Sequence, residues 1–156
     1  MAQNILLAMD DSENAQRAVA FVARIFSPEN KITLFNVMLD TAALCSMDSP
    51  ELTPLFKSQQ TSFCALEDKK RELVNQAMQR ARETLLAAGF SEDNIKIKVE
   101  NKKRGVARDI VAESKAGYDL IVLGRHGITG VKDFFLGSTS QKVFNAAKEI
   151  SVLIAN

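Results

Sequence analysis

An α/β fold built on an open parallel sheet is predicted for this chain by three observations. Ile5–Met9 and Leu120–Leu123 are continuous apolar runs of strand length, as expected of strands covered on both faces. Segments with helical period stand between such runs in regular alternation. Acids and glycines fall directly after strand ends, at Asp10-Asp11 and from Gly124 onward. The order reads β-α-β-(loop)-α-β-α-β-α-β, which implies right-handed crossovers and helices on both faces. In such sheets ligands sit beyond the carboxyl ends of the strands, where the strand order reverses.

The first strand, Ile5–Met9, ends in Asp10-Asp11-Ser12. Ser12 is a good N-cap for a helix whose Ala15, Ala18, Val19, Val22 and Phe26 share one face, and Ser27-Pro28 stops it. Lys31–Leu39 is the second strand, rich in β-branched and aromatic residues, with Asn36 interrupting its apolar run. Asp40–Phe63 then loses any clean period and reads as a long functional or mobile loop with room for a short helix. It leaves the second strand at a point from which a lid can reach over the strand ends. Glu67–Ala88 is the clearest helix, with Leu66, Leu73, Ala77, Ala81, Leu85 and Ala88 on one face and Gly89 as its C′ stop.

Ile95, Ile97 and Val99 alternate with Lys96, Lys98 and Glu100, so the third strand has one wet face and belongs at an edge. Gly105–Ala116 is a helix with Val106, Ile110 and Val111 inward, and Tyr118–Leu123 is the fourth strand. Ser138 opens the next helix, where Gln141 completes a capping-box pattern and Val143, Phe144 and Ala147 form the apolar side. Ile150–Ala155 is the fifth strand. No repeat or composition shift divides residues 1–156, so one domain is expected.

Composition narrows the function. A net charge of +1 gives no general pull toward nucleic acid or anionic lipid. No apolar run approaches the roughly 18 residues of a membrane span. The N-terminus has no basic n-region before its apolar run, so no signal peptide is read there. Cys45 and Cys64 lack metal-ligand spacing and are expected to be unpaired, reduced thiols in a cytoplasmic protein.

The stretch Asp119–Ser140 carries the chemistry. Glycines at 124, 127, 130 and 137 let backbone approach a ligand, and Ser138-Thr139-Ser140 supply a helix N-terminus with free N–H groups. Those are the parts of a phosphate cradle. The spacing is Gly-x2-Gly-x2-Gly after the fourth strand, not the dinucleotide Gly-x-Gly-x2-Gly after the first. No Gly-Lys-Ser/Thr and no His-x-Gly-His occurs, which excludes a P-loop and the adenylyl-transfer motif. The third strand ends Val99-Glu100-Asn101-Lys102 and lacks the phospho-accepting Asp of a response regulator.

Gly124, Gly127, Gly137 and Ser138 meet the pattern Gly-x2-Gly-x9-Gly-Ser. In that pattern the chain resembles the ATP-binding branch of the universal stress protein family. The resemblance extends through Met9-Asp10-Asp11-Ser12, Asn36-Val37 and the terminal Val152-Leu153-Ile154. It implies an open five-stranded parallel sheet of order 3-2-1-4-5, of the adenine nucleotide alpha hydrolase-like type. It also implies ATP, with Mg²⁺, as the ligand. Adenine would lie against main-chain groups of Ala8, Met9 and Val37, with Asp10 near the ribose and adenine. Phosphates would rest on Gly124, Arg125, His126, Gly127, Gly137, Ser138, Thr139 and Ser140. A homodimer paired through Ser151–Ile154 and a regulatory protein partner of unknown identity are further implications. Two departures stand out: Glu149-Ile150-Ser151 replaces a Cys-Pro before the last strand, and Asp11 replaces a glycine or apolar residue.

Each of these features has a bland counterpart. Loop glycines are commonly turn-makers, and Asp10 and Asp11 are also good first-turn acids for the dipole. Asp11 is either a helper for a nucleotide-bound divalent cation or a plain helix charge. Ser138 caps its helix with or without ligand. His126 has no nucleophile at a motif spacing and no partner acid, so it reads as a solvent-facing or phosphate-facing loop residue. Arg125 either screens phosphate or is solvated. Lys102-Lys103-Arg104 reads as a solvated turn. Since no general base or arginine finger is evident, a binding module is expected rather than an enzyme. A slow ATPase or phosphotransferase and a nucleotide-free interaction protein are the alternatives.

Overall fold

The structure is a computed structural model that describes residues 1–125 and 136–156. Strands β1 (Asn4–Ala8), β2 (Lys31–Met38), β3 (Ile95–Asn101), β4 (Leu120–Gly124) and β5 (Ser151–Ala155) form one sheet of order β3-β2-β1-β4-β5. Every pairing is parallel, with Ile5 opposite Ile32 on one side and Leu120 on the other. The expected order is observed, and β3 is an edge strand as its alternation required.

Helices α1 (Glu13–Ile25), α2 (Ala42–Cys45), α3 (Pro54–Ala87), α4 (Val106–Ser114) and α5 (Ser138–Ala146) accompany the sheet, with a short 3-10 helix at Glu92–Asn94 leading into β3. The core divides by sheet face, as the two-residue period of a strand demands. Ile5, Leu7, Ile32 and Leu34 are buried with Val19 and Val22 of α1 and Val74, Met78 and Leu85 of α3. Leu6, Phe35, Ile121 and Leu123 fill the other face with Ile110 of α4 and Val143 of α5. At roughly 1.5–3 kcal/mol for each fully buried large side chain, these two layers dominate the stability of the fold. Gln16 bolts α1 to α3 from within, its Nε2 donating to Ala77 O at 2.9 Å.

Helix ends follow local chemistry. Ser12 caps α1, its hydroxyl accepting from Ala15 N at 3.1 Å. Helix α3 closes in a Schellman arrangement: Gly89 takes φ 98°, its N–H reaches Leu86 O at 3.0 Å, and Phe90 N–H reaches Leu85 O at 3.1 Å.

Three expectations are corrected. The long helix begins at Pro54, not near Glu67, because Thr53 accepts from Phe56 N and Pro54 starts the first turn. Its inward face is Val74, Ala77, Met78, Ala81 and Leu85, while Leu66 and Leu73 are exposed at 70% and 41%. In α5 the N-cap is Gly137 and no side chain makes a capping bond, so the Ser138–Gln141 capping box does not form. Phe144 is exposed as well, at 56%, and Val106 is 38% exposed.

Asp109 is a buried acid that hydropathy did not single out. Its carboxylate receives Lys103 N at 2.8 Å and Arg104 N at 3.1 Å, which fixes the turn from β3 into α4. Burial pushes its pKa upward, but the Lys103, Arg104 and Gly105 backbone N–H groups outweigh that and hold it below the ordinary 3.8. Asp109→Ala is expected to cost about 2 kcal/mol of stability at neutral pH. A depressed native pKa stabilises the fold above the unfolded value of 3.8 and loses that contribution as pH falls through the native one. Urea denaturation at pH 7 and pH 3 should therefore show the gap between parent and variant narrowing in acid. An equal gap at both would mean that the charge contributes nothing.

Candidate functional site

The sheet order reverses between β1 and β4, and a crevice opens there beyond the strand ends. Its lining includes Ala8, Met9 and Asp10 after β1, Gly124 of β4, and Thr139 and Ser140 at the start of α5. Six residues predicted from three separate stretches of sequence are thus brought to one place. Ser12, Ala15, Val106, Ile110 and Leu123 complete the wall. Of these, Val106 and Ile110 were read only as inward helix positions, and their i, i+4 spacing does place both on the side of α4 that meets the crevice. The open volume is about 70 Å³, enough for one small group and too little for a whole nucleotide.

The backbone around the crevice is tied at both strand ends. Met9 N donates to Phe35 O at 2.7 Å, and the Asn36 amide Nδ2 donates to Met9 O at 2.7 Å. Arg125 N reaches Ala155 O at 3.0 Å, and Gly137 N reaches Arg125 O at 2.8 Å. Val37 lies on β2, one residue beyond Asn36, and does not line the crevice. Arg125 and Gly137 flank it. His126 and Gly127 lie outside the described residues.

Several polar groups here already have structural partners. One carboxylate oxygen of Asp10 accepts the Ser12 N–H at 2.9 Å and the Ser12 hydroxyl in a short hydrogen bond, forming an Asx turn before α1. Buried Ser140 donates its hydroxyl to Gly124 O at 2.7 Å. From α5 the crevice is lined by Thr139 and Ser140. The first intrahelical bond is Gln141 N to Gly137 O at 3.0 Å, so the N–H groups of Ser138, Thr139 and Ser140 precede the helical ladder. They form the positive end of the α5 dipole, with the exposed Ser138 hydroxyl beside them. Such an arrangement receives an anion through main-chain donors.

Among the described residues, two buried side-chain oxygens lack a hydrogen-bond partner, Oδ1 of Asp11 and Oδ1 of Asn36. Asp11 follows β1, and Asn36 lies in β2 two residues before its end. Among the described residues, no group of three or more His, Cys, Asp or Glu side chains is placed to hold a metal, and no helix is long and apolar enough to cross a membrane.

The fold is an open parallel α/β sheet whose switch-point crevice meets the N-terminus of α5. The chain belongs to the universal stress protein family, whose model matches residues 1–156. It is similar in fold to universal stress protein UspA from Lactobacillus plantarum, with a TM-score of 0.71 at 24% identity over 99% of this chain and 97% of that one. A universal stress protein from Archaeoglobus fulgidus aligns with a TM-score of 0.66 at 15% identity over 100% and 99% of the two chains. A universal stress protein solved in complex with cAMP aligns with a TM-score of 0.64 at 18% identity over 99% and 97%. No curated protein sequence matches the chain.

Gly124 has a packing role independent of any ligand. A Cβ there would come within 3.2 Å of Asn14 O in the first turn of α1. Gly124→Ala is expected to cost about 1 kcal/mol through overpacking. Ser140→Ala should cost about as much through its lost bond to Gly124 O. Ser138→Ala, at an exposed position without a capping bond, should leave the stability of ligand-free protein unchanged. Thermal unfolding of the three variants without nucleotide checks this. A large loss in Ser138→Ala, or none in the other two, would contradict these assignments.

Proposed function

We propose that this chain is an ATP-binding regulatory module that holds the nucleotide, with Mg²⁺, across the β1–β4 crevice. The observation that carries the reading is the convergence of Ala8–Asp10, Gly124 and the first turn of α5 on one switch-point crevice. In this reading adenine lies toward Ala8, Met9 and Val37, and Asp10 meets the ribose through its second carboxylate oxygen. The triphosphate extends over Gly124, Arg125, His126 and Gly127 to Gly137, Ser138, Thr139 and Ser140. The 70 Å³ crevice is then the floor of the site, from which most of the nucleotide stands proud. The cAMP complex of a fold relative supports an adenine nucleotide as the ligand class. Holding is favoured over turnover because the donors that converge here are backbone N–H groups. A cytoplasmic location and an unidentified regulatory protein partner belong to the same reading.

Nucleotide released by denaturing the purified protein should run as ATP or ADP on ion exchange, and calorimetry with Mg²⁺ should show ATP binding more tightly than cAMP. Gly137 has an ordinary φ of −63°, so the backbone does not demand glycine there. Gly137→Val should weaken ATP binding at least ~tenfold by blocking close approach. Absence of both copurified nucleotide and measurable ATP binding would overturn the proposal.

The same reading includes a homodimer joined through Ser151–Ile154. Strand β5 is at the sheet edge, and a half-open apolar groove beside it contains Leu136, exposed Phe144 and Ile154. An apolar edge strand left bare invites further pairing, and a second copy closes it. Light scattering should give a dimer mass at micromolar concentration, and Phe144→Glu should shift it toward monomer. A monomeric parent protein would rule the dimer out.

A further inference from the structure

The expected free thiols are instead joined: Cys45 and Cys64 form a disulfide across a sequence separation of 19. The hydropathy pattern hid this because both cysteines lie in helical stretches that bury nothing. Helix α2 has no buried residue, and in α3 burial begins only at Val74. Arg71 marks the level of the sheet's rim, its guanidinium donating to Leu39 O just past the end of β2. Residues 54–70 therefore form an arm running about 25 Å beyond that level, at 1.5 Å per residue. Among the described residues, its ties to α2 and the turn after it include the disulfide and Gln60, whose Nε2 donates to Leu44 O at 2.6 Å and Met47 O at 2.9 Å. The arm also leaves Leu55 and Leu66 exposed at 69% and 70%.

A helical stretch of this length without a packed face is marginal in water, since helices in proteins are stabilised mainly by tertiary burial. A cross-link that fixes it to a second element removes disordered states it would otherwise sample. The disulfide is therefore the main constraint on a segment that has no core of its own. We propose that Cys45–Cys64 is a reversible thiol–disulfide site that sets the order of the arm. Oxidised, α2 and residues 54–70 form a stapled helical hairpin. Reduced, the hairpin opens and the ordered start of α3 retreats toward Val74, the first core-packed residue.

The reductant is a dithiol. Cys45 is exposed and Cys64 half-buried, so the incoming thiolate attacks the Cys45 sulfur. The S–S bond breaks and Cys64 leaves as a thiolate that takes up a proton. The second thiol of the reductant then attacks the mixed disulfide and releases Cys45 as a thiol. Two electrons and two protons pass to the protein, and the reductant departs as its own disulfide. In the cytoplasm proposed for this chain, where lasting structural disulfides are rare, such a pair is a redox-responsive one. The proposal does not depend on the nucleotide reading.

Hydrogen exchange followed by mass spectrometry on the full chain tests it, comparing air-oxidised protein with protein reduced by dithiothreitol. Peptides covering 54–70 should exchange at least ~tenfold faster after reduction, while peptides from β1, β4 and the Val74–Ala87 half of α3 stay protected. The Cys45→Ser, Cys64→Ser double variant should match the reduced protein with or without dithiothreitol. Chemical reduction needs no variant, and the core peptides report whether the fold persists. Equal protection of the arm in both states would overturn the proposal. So would free thiols in the oxidised sample, detected by alkylation, or loss of protection throughout the chain on reduction.

Discussion

Parallel strands cannot be joined by a tight turn, and the rest of this structure depends on that constraint. Each strand must be followed by a crossover, so all the strand ends lie on one rim and everything that follows a strand begins there. β1 stands at the centre, with β2 on one side and β4 on the other. The crossovers after β1 and β4 diverge to opposite faces, carrying α1 to one and α5 to the other. The crevice is the gap between those departures. Its position is therefore a consequence of strand order rather than of any single residue at the rim.

Side chains at the rim maintain that gap through hydrogen bonds to one another and to the backbone. Ser12 and one Asp10 oxygen build the turn into α1, Asn36 holds Met9 O, and Ser140 holds Gly124 O. Gly124 has no Cβ because Asn14 would crowd it. The Gly-Ser pattern is thus partly a packing signature, and a substitution at Gly124 or Ser140 disturbs the frame before it tests a ligand. Ser138 is a cleaner probe, since it is exposed and makes no capping bond.

Legibility in the sequence followed how directly a residue's role depends on burial. Strand runs such as Ile5–Met9 and the alternation Ile95-Ile97-Val99 were readable because period and two-sided burial coincide. Ser12 and Gly89 were readable because capping is local chemistry. The first half of α3 was not, because a helix arm that touches no core has no apolar stripe. Its start signal, Thr53-Pro54, lay within a stretch whose lack of period read as a loop. The cysteine pair was missed for the same reason: only with both segments helical do positions 45 and 64 come together. The capping box failed because Ser138 falls one residue inside its helix, with Gly137 taking the cap. At the site, the residues that follow strand ends were readable from topology, whereas the α4 wall of Val106 and Ile110 depends on how a helix docks.

The two unpartnered oxygens bear on the same question from the energetic side. A buried polar atom without a partner costs about 1–3 kcal/mol, and folded proteins keep few of them. Here both occur close to the β1 and β2 ends, on Asp11 and Asn36, while the buried Asp109 carboxylate and the buried Gln16 and Ser140 side chains in the rest of the described structure have partners. Asn36 also interrupts a strand that is otherwise apolar, in a position where a hydrophobic residue would be less costly. Its Nδ2 bond to Met9 O offsets part of that cost, by fixing the carbonyl just past the end of β1. Local rules broken at the rim and obeyed in the core are the pattern expected when a chain concedes stability to a binding site. The sheet interior supplies what is conceded, through the two apolar layers that flank β1.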